Sequence, residues 1–319
     1  MKKKIKKLLF VLIAVLMQNM FAFCQTNQTD LPVLKGSYLG QNQPGDKSQV
    51  FAPGFVSTEY GELNAVFNSD GTEFYFSRRG APGTVSMLMV SKLINNEWTK
   101  PGPVNFSGTN DDIDLFITSD GNSMIYCSVK VRHLEGRAFM NHDFWISKRE
   151  GNKWGEPVLF AKEAISEFED YFPIVTKNGN LYFNSQRGGQ GTNDIFCSKY
   201  VNGQYTAAEK LPEPINTPHR EFDAFLSQDE KIMIFSSTKP GGFGGSDIYI
   251  SCKKPDNSWS EPVNLGNDIN SNASEYGATI TPDDNYFFYT STRNGNEDIF
   301  WISAKNIKEI VRKFEKQEQ

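Results

Sequence analysis

One pattern of short segments returns five times between Glu62 and Ser303, and few folds are open to a chain built that way. Its clearest copy runs from Arg220 to Leu265. There Phe222–Leu226, Lys231–Ser236, Asp247–Ser251 and Trp259–Leu265 are short apolar or alternating segments. Gln228-Asp229-Glu230, the Gly241–Gly245 run and Pro255-Asp256-Asn257 separate them. Segments of about five residues bounded by Gly, Pro, Asn and Asp read as an antiparallel meander.

The other copies align on the same landmarks. An acid opens each unit at Glu62, Asp112, Glu169, Glu221 and Glu275, and a turn follows eight residues later at Asp70, Asp120, Lys177, Asp229 and Asp283. An aromatic-rich strand comes next, then a cation at Arg79, Lys130, Arg187, Lys239 and Arg293. A third strand ends on Ser91, Ser147, Ser198, Ser251 and Ser303; in the last four units it starts on Asp143, Asp194, Asp247 and Asp298. A fourth begins at Trp98, Trp154, Tyr205 and Trp259. Opening acids lie 50 to 57 residues apart, which is one four-stranded sheet per unit. Such a sheet is too small to stand alone, so the sheets must stack around an axis. The fold class is therefore all-β, a β-propeller of four-stranded antiparallel blades.

The blade number follows from a missing strand. Nothing resembling the fourth strand follows Ser303, whereas an orphan copy, Val50–Val56, precedes the first unit. Its Pro-Gly-Phe-Val parallels Pro101-Gly102-Pro103-Val104. Five blades are predicted, with the N-terminal strand completing the last and leaving no open edge; six blades is the alternative. The propeller is assigned to residues 49–303. Residues 25–48, rich in Gln, Asn, Gly and Pro, read as an arm. Residues 304–319 carry Ile307, Ile310, Val311 and Phe314 on one stripe and read as an amphipathic helix docked on the outer face.

Residues 1–24 have the organisation of an export signal, with five lysines before the apolar run Leu8–Met17 and Ala22-Phe23-Cys24 before Gln25. Periplasmic or extracellular location is the expectation, with lipid anchoring through Cys24 as the alternative. No transmembrane span is expected once the signal is removed. Net charge is −5, and becomes −10 without the leader lysines, which argues against a nucleic-acid partner. Cys127, Cys197 and Cys252 each lie in an apolar strand pattern and read as buried free thiols. No metal-ligand spacing and no cofactor motif occurs, and a monomer is expected.

The series D-I-F/Y-x-S, W-S-E-P-V-N-L (Trp259–Leu265) and S-x-R-G-G (Ser185–Gly189) resembles the WD40-like repeats of TolB-type propellers, from Val50 to Ser303. The resemblance implies an exported, envelope-associated protein whose propeller binds other proteins or glycans. TolB proteins differ in having a further N-terminal domain and six blades.

A feature present in every blade is most simply structural, so the opening acids and following cations are read first as ties within the ring. Trp98, Trp154 and Trp259 are read first as wedges between blades. Function is sought where the repeat breaks. The second unit lengthens one connection, Val131 to His142, which brings Arg132, His133, Arg137 and His142 to a rim loop. The innermost strands supply the other candidates. Strict alternation would put Asp112 with Asp114, and Glu221 with Asp223, on one face at the channel mouth. These four residues and the four loop residues are the predicted ligand contacts. Asp114, Asp170 and Asp223 are the catalytic candidates, since carboxylates from separate blades are what a glycosidase needs. The primary reading is a non-catalytic binding module for a protein or an envelope polysaccharide, held at the rim or the channel mouth. The alternatives are a carbohydrate-active enzyme and a structural scaffold of an envelope complex.

Overall fold

The computed structural model describes residues 31–134, 136–189 and 191–317; the export-signal reading of residues 1–24 lies outside them. The propeller falls wholly in the unit Leu34–Gln319. Five antiparallel sheets form five blades, whose innermost strands are Glu62–Phe67, Asp112–Ile117, Asp170–Val175, Glu221–Leu226 and Glu275–Ile280. Each pairs with a middle strand, and that with a third strand, such as Ile232–Ser237 and Asp247–Cys252 in blade 4. A two-residue outer strand completes each blade.

Apolar side chains from facing sheets fill the seams. Blades 1 and 2 meet through Tyr75, Leu88, Leu115 and Tyr126. Phe144, Phe183 and Phe196 fill the next seam, and Ile174, Met233 and Phe235 the one after. Blades 4 and 5 join through Ile248, Ile250, Phe287 and Phe300. Trp154 of blade 2 wedges against Tyr75 of blade 1, its indole N–H 3.3 Å from the phenol oxygen. Cys127, Cys197 and Cys252 are buried free thiols.

The ring closes as its sequence requires. Gln49 and Val50 pair with Trp301 and Phe300, and the Phe51 amide donates to the Ile299 carbonyl at 2.8 Å. The closing strand therefore ends at the front of the segment read from sequence. Ala52 (φ 44°) and Gly54 (φ 77°) then turn the chain away. Phe51 is fully buried in the last seam, with ring centroids 4.9 to 5.1 Å from Phe74, Phe288 and Trp301. The arm follows the same end of the ring. Gly36 accepts the Trp98 indole N–H at 2.7 Å, and Tyr38 packs edge-on against Phe67 and Tyr286.

The C-terminal helix, Lys305–Gln317, buries Ile307 and rests Ile310 and Val311 against the seam between blades 4 and 5. It faces the floor of the ring, where the inner strands end, rather than the outer rim. The apolar stripe was legible in sequence; which face of the ring it covers depends on the neighbouring seam.

The opening acids are the ties that repetition suggested, with one shift of register. Glu62, Asp112, Glu221 and Glu275 are fully buried, and so is Asp170 rather than Glu169 in blade 3. Four of the five accept a loop amide four residues upstream: Thr58, Ser166, Thr217 and Ser271 donate at 2.8 to 2.9 Å. Asp112, Glu221 and Glu275 accept a middle-strand hydroxyl, from Ser128, Ser237 and Ser291 at 2.6 to 2.7 Å. Each acid thus fastens the connection from the preceding blade to its own sheet.

Candidate functional site

The third residue of every inner strand is left-handed: Asn64 (φ 58°), Asp114 (53°), Phe172 (53°), Asp223 (51°) and Gly277 (63°). The pairing register shifts at the same place in all five blades, so each inner strand carries a β-bulge. Strict alternation fails there, which corrects the expectation that Asp112 and Glu221 share a face with Asp114 and Asp223. Asn, Asp and Gly are the residues that tolerate this conformation. Asp114 and Asp223 therefore have a backbone reason for their identity before any chemical one.

Phe172 is the exception, a bulky side chain in a conformation that costs it about 1–2 kcal/mol. It is 2% exposed, and its ring reaches toward the opposite side of the shaft. A Cβ on Gly277 of blade 5 would lie 4.0 Å from Phe172 Cε2 and 3.9 Å from the Asn64 nitrogen. Phe172 stands between two hollows that share no lining residue, with Tyr171 facing the mouth and Ile174 the floor.

The mouth is a cup of about 450 Å³, lined by Arg79, Asp114, His142, Tyr171, Asn184, Arg220, Phe222, Asp223 and Tyr276 among others. Burial raises the pKa of Asp114, against Arg79 and His142, which lower it. Asp223 is raised well above the ordinary range by burial first and the neighbouring Asp114 second. Each carboxyl also faces a bulge amide of another blade, Asp114 that of Phe172 and Asp223 that of Gly277. The Asp223 amide in turn donates to Asn184 Oδ1 at 3.1 Å.

Arg79 is available here because its neighbour does the repeat's work. Arg78 pairs with Glu62 at 2.8 Å, the position a serine holds in the other blades. Arg79 instead grips Glu297 with Nε and Nη2 at 2.8 and 3.2 Å, and the Tyr276 hydroxyl donates to the same carboxylate. Arg220 lies over Phe222, 5.4 Å from its centroid.

His142 closes one side of the cup. Its Nδ1 and Nε2 lie 2.9 Å from Glu169 and 3.2 Å from Asp111, and its amide donates to Glu169 at 2.8 Å. Asp111 also accepts the Ser86 amide at 2.7 Å, so the cluster joins blades 1, 2 and 3. Burial disfavours the charged ring, but hydrogen bonds to Asp111 and Glu169 outweigh it and raise the pKa to about 9. The hydrogen bond to His142 holds Asp111 below the usual range, and the same ring outweighs burial to lower Glu169.

A folded pKa above the unfolded value of about 6.5 stabilises fully below pH 6.5. That contribution is lost as pH rises through about 9. The two carboxylates contribute only above their ordinary range and lose their share in acid. The melting-temperature gap between the parent and His142→Gln is therefore expected to be widest near pH 5–6.5 and to narrow as pH rises through about 9. An imidazole NMR titration centred near 6.5 would refute the clamp.

The remaining candidates fall elsewhere. Asp112 is held by Ser107 and Ser128, Glu221 by Thr217 and Ser237, and Asp170 by Ser166 and Arg187. Their full burial removes all three from the mouth. Arg132 is buried in an ion pair with Asp143 and donates to the Ser166 carbonyl, so it is not a rim contact. His133 and Arg137 are exposed on the hairpin of Arg132–Leu134 and Arg137–Phe139. No group of three His, Cys, Asp or Glu side chains is placed to hold a metal ion among the described residues.

No protein-family model matches the chain, and no curated protein does. Among solved structures, a glycoside hydrolase aligns over 86% of this chain and 92% of its own, at 12% identity and a TM-score of 0.53. The endo-arabinase of Bacteroides thetaiotaomicron covers 78% of this chain and 95% of its own, at 11% identity and 0.53. A TolB-like protein of Agrobacterium tumefaciens covers 73% and 71%, at 16% identity and 0.48. At these identities the first two likenesses concern the fold alone, a propeller.

Proposed function

We propose that the chain is an exported, non-catalytic binding module that holds a glycan segment in its mouth cup. The observation that carries this reading is the left-handed backbone at the third inner-strand position. It accounts for Asn64, Asp114, Asp223 and Gly277 together, without a reaction. The two carboxyls also face amides of other blades, which gives them work as struts. What remains free to meet a ligand is Arg220, the faces of Phe222 and Tyr171, and the side-chain amide of Gln186. Aromatic faces beside mixed donors and acceptors suit sugar rings and hydroxyls. A rigid ring holds these groups in place before binding, so little ordering entropy is lost.

Calorimetric titration with neutral and acidic oligosaccharides tests the reading. Phe222→Ala and Arg220→Ala are each expected to weaken binding about tenfold or more, roughly 1.4 kcal/mol. Absence of binding by every oligosaccharide sinks it. One observation favours a glycosidase instead: two carboxyls from different blades, both titrating high, face one cup. Release of reducing sugar that disappears in Asp114→Asn, at unchanged melting temperature, would establish that alternative.

A further inference from the structure

The floor of the ring holds a second hollow, which a mouth ligand leaves unused. It encloses about 910 Å³, within the range of roughly 300–1,000 Å³ common for small-molecule sites. Val66, Phe116, Ile174 and Phe225, from four successive inner strands, share one level of its wall. Ile307 and Val311 of the C-terminal helix close one side, and Phe172 lies two residues before Ile174 at the bulge level above the wall. Val66, Phe116, Phe225 and Val311 are only partly buried, so apolar surface still faces the space. A wall of this kind gains from covering by alkyl groups and offers a sugar or free phosphate few partners.

The rim has the opposite character. Lys308 and Arg312, four residues apart on the helix face that carries Ile307 and Val311, line the opening, and Lys177 stands on the blade 3 turn. Among the described residues none of these three cations takes part in an ion pair. Of the two acids at the same rim, Asp229 is engaged by the Ser227 hydroxyl at 2.7 Å and by Lys231 at 3.8 Å; the other is Asp284.

We infer that the floor hollow is a binding site for a long-chain carboxylate. The alkyl tail runs up the shaft toward Phe172, and the carboxylate rests on Lys308 and Arg312. A neutral hydrocarbon would use the wall and ignore the cations; an inorganic anion would do the reverse. Only an anionic amphiphile engages both.

Calorimetry on the full chain with octanoate, decanoate and dodecanoate, each below its micelle concentration, tests this. Affinity should rise roughly tenfold for each added pair of methylenes. The Lys308→Ala/Arg312→Ala variant, altered only at the helix rim, should weaken dodecanoate by about tenfold or more while dodecanol binding stays unchanged. Val66→Trp, which fills the wall, should abolish uptake of both. No binding of dodecanoate, no chain-length dependence, or equal affinity for dodecanoate in the double variant would each overturn the inference. So would equal affinity of the parent for dodecanol and dodecanoate. The mouth reading would survive any of these results, because no residue lines both hollows.

Discussion

Replacing Phe51 with alanine is expected to cost about 3–5 kcal/mol, the range for truncating a fully buried phenylalanine. In a domain of this size that corresponds to a fall of roughly 6–20 °C in melting temperature. The side chain has no exposed surface and meets rings from both sides of the last seam, Phe74 of blade 1 and Phe288 and Trp301 of blade 5. Its neighbours are rigid aromatics held by their own strands, so the seam cannot collapse far into the vacated space. The residue also lies where the chain's front meets its tail, with its amide on the Ile299 carbonyl. Damage there loosens the closure of the whole circle rather than one blade. Differential scanning calorimetry decides the matter: a loss under about 1 kcal/mol would show that the ring holds without this contact.

Asp170→Ala and Glu169→Ala should behave very differently although the residues are adjacent. The Asp170 carboxylate is fully buried and accepts the Ser166 amide at 2.9 Å and Arg187 Nη2 at 3.0 Å. Burial raises its pKa more than Arg187 lowers it, so desolvation consumes much of the ion pair's own gain. The damage from alanine lies in what is left behind, a half-buried guanidinium and an amide without an acceptor. Breaking a buried pair in this way costs about 3–5 kcal/mol. Glu169 is one-third exposed and serves His142 and the Tyr171 hydroxyl rather than the blade's own sheet, so its loss should cost about 1 kcal/mol or less. Its effect should also fade in alkali as His142 loses its proton. Chemical denaturation at pH 7 compares the two; equal losses would mean that the clamp in blade 3 is misplaced.

That pair shows where sequence reading reached its limit. Two acids stand side by side at Glu169-Asp170, as two arginines do at Arg78-Arg79, and repetition alone allows either member to hold the repeat's position. A finer signal was present. A Ser or Thr lies four residues before Glu62, Asp170, Glu221 and Glu275, and it selects Asp170. The run Asn64, Asp114, Asp223 and Gly277 was likewise visible, and it is the composition of a left-handed position. The same run also fits plain alternation, because the residue types alone do not say where the pairing register shifts. Phe172 had no signal at all, since nothing local favours a phenylalanine in that conformation; the packing of blades 3 and 4 around its ring holds it there.

The sequence by itself determined the five blades and the closure by the front of the chain, because both follow from counting strands that local turn chemistry delimits. It also determined that the opening acids are ties, since a charge repeated in every blade must answer a need every blade shares. Only the tertiary structure decided which carboxylates reach the mouth and which are sealed inside. It alone decided that Phe172 divides the shaft, and that the terminal helix covers the floor. Those outcomes depend on contacts between blades, where a shift of one residue or one left-handed φ redirects a side chain, and no property of a single strand encodes that direction.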